Sequence, residues 1–362
     1  MADKPVLIKK GIVMFEGNPM IPSNLLLEPI ISNSYLLESE NEAVLFDPSS
    51  GEDIGNRIET YIREMINTKP RLKRAAVVAG HSHFDHSGNF YLSDVFKAET
   101  SQAYVHESGF YDGHVLNDPA TFIQTKIKEC EGHYNFYLSF FFPYNLLTYP
   151  VAALGALFPC FASRLFSFFT AMPFPAPRNG SVTPKQLKEC EREIINIGGV
   201  KVNGWKLGDK VVFSTPGHSP CSVSLFWPEK KALFVSDATW PGNPVFMDAS
   251  LKECVSSLTT LRELMNTGMV ELLLSAHEAV LDQRKSILDT LDFRLHILQA
   301  VKQEILSAYR SSGNEKNVRR LTKLLMKSSP LFRMFRQNSY PRFVAFPHSI
   351  VALCLKEEGI RG

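Results

Sequence analysis

The run His81-Ser82-His83-Phe84-Asp85-His86 puts four side chains able to bind a metal within six residues. It follows Ala75-Ala76-Val77-Val78-Ala79-Gly80, a continuous apolar segment of the kind that forms a parallel strand buried on both faces. Such a strand delivers whatever follows it to the carboxyl edge of a sheet, where α/β folds collect their chemistry. Alternate side chains of extended backbone share a face, so His81 and His83 point the same way. Asp85 and His86 come after the turn and can address a neighbouring position, so one loop can serve two adjacent cations. Imidazole and carboxylate are ligands for borderline divalent ions such as zinc. The chain holds only 10 histidines, so three within six residues is improbable as a coincidence.

Three further blocks end an apolar strand in a residue of the same ligand types. Val211-Val212-Phe213 leads into Thr215-Pro216-Gly217-His218-Ser219-Pro220, Lys231 to Ser236 into Asp237, and Glu271 to Ala276 into His277. Gly217 supplies the backbone freedom to turn His218 inward. His-x-His-x-Asp-His after an apolar strand, then Thr-Pro-Gly-His, a strand-end Asp and a strand-end His, resembles the metallo-β-lactamase superfamily, and within it the glyoxalase II and lactonase-like members. The resemblance implies an α/β chain folded as a four-layer αββα sandwich. It implies that His81, His83 and His218 hold one metal ion and that Asp85, His86 and His277 hold a second, with Asp237 bridging. Asp85 then also steers the attacking oxygen or takes a proton. Two divalent ions are expected, zinc by default, with iron and manganese open. His83 stands where the flavo-diiron branch has Glu.

The same resemblance places Asp47, at the end of the Glu42–Phe46 strand, behind the site as a residue that orients a ligand. A turn-forming Asp before Pro48 is the competing reading. Two departures stand out. Ser275-Ala276 replaces a common Pro-Gly, so the turn before His277 differs. Cys221 stands where Gly is frequent, and reads as a buried inert thiol rather than a contact of the site. His106 follows a short strand and reads as structural.

The remainder of the chain carries its additions. Val6–Ile8, Ile12–Phe15 and Ser34–Leu37 read as antiparallel strands, and Glu52 to Thr68 as an amphipathic helix with Ile54, Ile58, Ile62 and Met65 on one face. Ser181 to Ile197 is expected to be helical, as are Leu281 to Ser311 and Phe343 to Glu358. The expected organisation is a catalytic domain over 1–280 and a helical C-terminal extension over 281–362. An aromatic-rich helical insertion falls at about 134–177: no Asp, Glu, Lys or Arg occurs between His133 and Arg164. Pro143, Pro150 and Pro159 break that run, which argues against a crossing of about 20 residues. A lipophilic lid or a membrane-facing element is expected, with a dimer contact or extra core as the alternatives. Between Glu315 and Arg342 the only acidic residue is Glu315, against eight basic ones, as in a segment that meets an anionic surface or a phosphate.

A formal net charge of +2 argues against a general nucleic-acid binder, and a homodimer stays open. Six scattered cysteines and an N-terminus without an apolar signal region point to a cytoplasmic protein, with peripheral membrane contact open. The expected activity is a metal-dependent hydrolase acting on a lipophilic ester, lactone or thioester. The alternatives are a phospholipid phosphodiesterase and a ligand-binding protein without turnover.

Overall fold

The apolar runs pair into two sheets in a computed structural model that describes residues 4–17, 31–68, 72–111, 114–115, 182–241, 243–244, 249–333 and 346–360. The first sheet contains β1 (Val6–Lys9), β2 (Ile12–Phe15), β3 (Ser34–Glu38), β4 (Glu42–Phe46), β5 (Arg74–Val78), β6 (Thr100–Val105) and, after the small hairpin of β7 (Phe110–Tyr111) and β8 (His114–Val115), β9 (Lys185–Gln186). These lie in the order β1-β2-β3-β4-β5-β6-β9. The second contains β10 (Arg192–Ile197), β11 (Val200–Leu207), β12 (Lys210–Ser214), β13 (Val223–Trp227), β14 (Ala232–Ser236) and β15 (Leu272–Ser275), in sequence order.

Side-chain alternation decides what each sheet covers. Ile12, Met14, Tyr35, Leu37, Val44, Phe46 and Val78 of the first sheet meet Trp205, Val212, Leu225, Trp227, Phe234 and Leu274 of the second. The intervening positions, among them Val13, Phe15, Leu36, Leu45 and Val77, pack under α1 (Glu52–Thr68) through Ile54, Ile58, Ile62 and Met65. Both faces are therefore dry, which is why these strands read as unbroken apolar runs. Short helices α2 (Phe84–Ser87) and α3 (Leu92–Val95) follow the metal-type loop. The outer face of the second sheet packs on α4 (Leu251–Asn266), α5 (Arg284–Ser311), α6 (Val318–Ser328) and α7 (Phe346–Glu357), whose Leu261, Leu298, Leu325 and Ile350 share one core with Phe213, Phe226 and Leu233. The result is a four-layer αββα sandwich.

Strand direction brings the ligand blocks together. β4 and β5 are parallel. β12 and β14 are each antiparallel to β13, so they run the same way, and β15 is parallel to β14. The carboxyl ends of β12, β14 and β15 thus meet at one edge of the second sheet. There Val223 N–H donates to Gly80 O across the sandwich at 2.7 Å, beside the loop that follows β5.

The stretch from Val182 to Ile197 is not the continuous helix expected, and holds only one 3-10 turn, Leu187–Glu189, between strands. Lys185–Gln186 and Arg192–Ile197 are strands, the latter paired residue by residue with β11. Ile195 and Ile197 face the core while Ile194 lies exposed. Burial alternates along the second half of this edge strand, and over so short a span such a pattern also fits a helix. The expected aromatic insertion, 134–177, lies outside the described residues. The chain leaves the described part after β8 and β9 pairs in parallel beside the carboxyl end of β6, Tyr104 opposite Lys185 and Val105 opposite Gln186. No helix among the described residues is long and apolar enough to cross a membrane.

Phe234 sits between the sheets, fully buried, with ring centroids 5.3 Å from Tyr35 and 6.1 Å from Phe46. Phe234→Ala should therefore leave a cavity and destabilise the fold by about 3–5 kcal/mol. The check is the urea midpoint followed by near-UV circular dichroism.

Candidate metal centre

Each expected ligand block ends a strand, and the backbone at those ends is bent sharply to aim a side chain inward. Asp47 and Ser236 adopt left-handed conformations, φ +52° and +47°, where non-glycine residues are uncommon. Gly80 has no alternative, because a Cβ there would collide with Ser236 Oγ and Asp47 Oδ1. Gly217 turns with φ +139°, and a Cβ on it would lie 2.5 Å from the backbone nitrogen of Cys254. The expected role of Gly217 in steering His218 therefore holds.

The structure brings all seven expected residues together. His81, His83 and His218 form one cluster of potential ligand atoms, His81, His86 and Asp237 a second, and Asp85, His86 and His277 a third. Asp237 lies between them. Its Oδ2 is 3.4 Å from His218 Nε2, 3.5 Å from His86 Nε2 and 4.0 Å from His81 Nε2, and its Oδ1 is 3.5 Å from His277 Nε2. Asp85 Oδ2 lies 3.3 Å from His277 Nε2 and 3.4 Å from His86 Nε2. His83 Nδ1 and His218 Nε2 are 3.1 Å apart.

Buried polar atoms normally find hydrogen-bond partners. Here Nε2 of His81, His86 and His277 and Oδ1 of Asp237 are buried without a well-formed one. A ring of inward-facing nitrogen and carboxylate donors lacking well-formed hydrogen bonds, with Nδ1 of His81 and His86 engaged from behind, suits a divalent cation of the borderline class. The residues present therefore fit the metal that the sequence implies.

Electrostatics sort the donors. Burial, reinforced by four neighbouring imidazoles, holds His81 well below the usual histidine range, so its lone pair is free. Burial would do the same to His86, but the carboxylates of Asp85, Asp237 and Asp47 outweigh it and raise His86 well above that range. Burial also opposes ionisation of Asp85 and Asp237. Around Asp85 the imidazoles His86 and His277 prevail, around Asp237 His277, His86 and His218, and both carboxyls are held below their ordinary values.

A supporting layer fixes the imidazoles. Asp47 Oδ1 accepts from Gly80 N–H at 2.7 Å and lies 3.2 Å from His86 Nδ1. Asp47 is thus placed behind the site against a ligand-type imidazole, while its own backbone bends at the strand end. Ser236 Oγ lies 3.3 Å from Nδ1 of both His81 and His86. Asn243 Oδ1 lies 2.7 Å from His218 Nδ1. Before His277, the Ser275 carbonyl accepts from Tyr35 O–H at 2.6 Å and Asn33 Nδ2 at 3.2 Å, and Asn33 N–H donates to Ala276 O at 2.7 Å. These bonds do for Ser275-Ala276 what a rigid Pro-Gly does by backbone restriction. Ser236, Asn243, Asn33 and Tyr35 were missed in the sequence, because isolated polar residues carry no spacing signal.

His106 stays out of the clusters: its Nδ1 accepts from Ser108 N–H at 3.1 Å and its ring packs edge-on to Trp205 at 5.6 Å. Cys221 is buried and accepts from Ser82 N–H at 3.3 Å, with Ser219 Oγ at 3.2 Å. Its sulfur joins the two ligand loops and lies outside the metal-type clusters.

The model of the metallo-β-lactamase superfamily matches residues 27–101 and 171–275, which include all of these ligand-type positions except His277. The chain belongs to the metallo-β-lactamase superfamily. It is 35% identical over 80 residues to the "Probable metallo-hydrolase YqgX" of Bacillus subtilis (strain 168), a stretch covering 22% of this chain and 33% of that one. The chain thus matches about a third of that relative's length. Among solved structures, the metallo-β-lactamase family protein TTHA1429 of Thermus thermophilus superposes with a TM-score of 0.53 at 18% identity, covering 98% of this chain and 96% of that one. The sec-alkylsulfatase Pisa1 of Pseudomonas sp. superposes with a TM-score of 0.57 at 14% identity, covering 99% of this chain but 50% of its own. At these identities the likeness is one of fold. Superfamily membership and the His/Asp clusters together support a metal-dependent hydrolase.

In the metal-free protein His86 holds a proton well above the ordinary value of about 6.5. A cation entering the site must displace that proton, so binding should release protons and tighten as pH rises. Calorimetric titration with zinc in two buffers of different ionisation enthalpy checks this. Equal apparent enthalpies in the two would exclude it.

Proposed function

We propose that this protein is a hydrolase with a two-ion centre, cleaving a lipophilic ester, lactone or thioester. The observation that carries the two-ion reading is the Asp237 carboxylate, with one oxygen turned to the His81, His86 and His218 side and the other to His277. His81, His83 and His218 would hold one ion and Asp85, His86 and His277 the other, zinc being the donor set's default.

Divalent ions held there supply Lewis acidity, which polarises the scissile group and lets water ionise near neutral pH. The remaining work belongs to the chain. His81, kept neutral by burial, offers its nitrogen without a proton to lose. Asp85 keeps an ionised carboxylate beside the reacting region and is the residue placed to orient a nucleophile or take its proton. Asp47 and Ser236 hold the His86 and His81 rings from behind, so the donors need not reorganise.

The ligand run favours no one scissile bond, so the acyl substrate class rests on the aromatic stretch between Phe136 and Phe174, read together with the basic segment from Lys316 to Arg342. A phospholipid phosphodiesterase is the second reading, favoured by the basic segment. The test is a substrate panel with a long-chain acyl thioester, a lactone, a phosphodiester and a secondary alkyl sulfate, the last suggested by Pisa1. Thioester or lactone turnover that Asp237→Ala abolishes, with folding retained and metal content reduced, supports the proposal. Phosphodiester turnover alone supports the second reading, and bound metal with no turnover supports a binding protein.

We also propose that α6 meets an anionic membrane surface. Leu321 and Leu325 are buried in the core, so Arg319, Lys323 and Lys327 face outward and exposed, with Leu324 beside them. Lys323→Glu combined with Lys327→Glu should reduce co-sedimentation with anionic vesicles several-fold. Binding that is unchanged by this double variant, or equal on neutral vesicles, would sink the idea.

A further inference from the structure

We infer that Asn243 is a positioning residue that sets which nitrogen of His218 faces the metal centre, an inference that rests on the metal-binding reading of His218. No sequence motif marks Asn243, and it belongs to none of the metal-type clusters. Yet it is nearly fully buried and touches two of the proposed ligands at once.

Chemistry fixes the orientation of its amide. Asn243 Nδ2 lies 2.6 Å from the Asp237 carbonyl oxygen and 3.4 Å from that of Ala238. Carbonyl oxygens only accept, so the group facing them must be the NH₂. A rotated amide would set its own oxygen against both. The amide oxygen therefore faces His218 Nδ1, 2.7 Å away. An amide oxygen only accepts, so His218 must carry its hydrogen on Nδ1. In the neutral ring this leaves the lone pair on Nε2, the atom 3.4 Å from Asp237 Oδ2 and 3.1 Å from His83 Nδ1.

The surrounding turn holds the amide in place. Trp240 N–H donates to Asp237 O at 3.0 Å, so that carbonyl takes donors from both Trp240 and Asn243. Asn243 N–H in turn donates to Trp240 O at 3.2 Å. The Trp240 ring stands edge-on to His218 at 5.8 Å. The turn that follows Asp237 thus returns to hold His218, and couples a ligand from the β12 loop to one at the end of β14.

A neutral His218 without this bond is free to place its hydrogen on Nε2, which cannot ligate until the proton moves. Asn243→Ala should therefore shift His218 of the metal-free protein away from the Nδ1–H tautomer, read by long-range ¹H–¹⁵N correlation of the ring nitrogens. Zinc affinity should fall about 10- to 100-fold, the usual effect of removing such an outer partner. Asn243→Leu, of similar volume but with no acceptor for Nδ1, should likewise lose the Nδ1–H tautomer. An unchanged tautomer in Asn243→Ala overturns the inference, even if zinc affinity falls, because Asn243 would then act through folding alone. If the alanine variant does not fold, Asn243→Leu decides: loss of Nδ1–H supports the inference and its retention overturns it. The tautomer is read without metal or substrate. A wild-type protein that shows Nδ1–H but hydrolyses nothing would refute the hydrolase reading and leave this one standing.

Discussion

Five imidazoles and two carboxylates share one buried edge of the sandwich, and the architecture follows from keeping them there. The side chains of His81, His86, His277, Asp85 and Asp237 are between 0% and 9% exposed. Charges so placed lose several kcal/mol of hydration each unless something answers them. Asp237 and His86 answer one another in part, which is why their ionisation moves in opposite directions. The remaining inward atoms face one another without good hydrogen bonds, and a cation would satisfy them. The two sheets create this edge by running β12, β14 and β15 in one direction, so that three separate strands end within reach of one loop.

Aiming those ends has an energetic consequence. Asp47, Ser49 and Ser236 all adopt left-handed backbone, each at a cost of about 1–3 kcal/mol. They cluster at the ends of β4 and β14, beside the loop where Gly80 leaves no room for any side chain. Strain here belongs to site-building, and the dry core between and outside the sheets holds it in place. Phe46 and Phe234, fully buried one or two residues before the strained positions, anchor those strand ends.

Much of this was legible in the sequence because it is written in short, ordered blocks. His81 to His86, His218, Asp237 and His277 each terminate an apolar run, and the structure brings these strand ends together. α1 was legible from Ile54, Ile58 and Ile62 at helical spacing. β10 was not: its six residues, two of them charged and adjacent, are too few to separate a helix pattern from a strand, and only pairing with β11 decides between them. Asn243 and Ser236 were invisible for another reason. Their role comes from which atom faces which across 25 and 155 residues of chain, and no local pattern records that. The turn at Ser275-Ala276 departs from the family's usual residues, yet Tyr35 and Asn33 restrain it from the other sheet.

β9 follows the long stretch between the halves of the family match, and it lies beside the carboxyl end of β6. Just beyond β6, Gly109 lies so close to Ser82 that a Cβ there would come within 2.9 Å of the serine Cβ. The chain thus returns to the sheet beside the strand whose following turn packs on the ligand loop. Any side chain at Gly109 would therefore press on Ser82, so the turn that follows β6 is tied directly to the ligand loop.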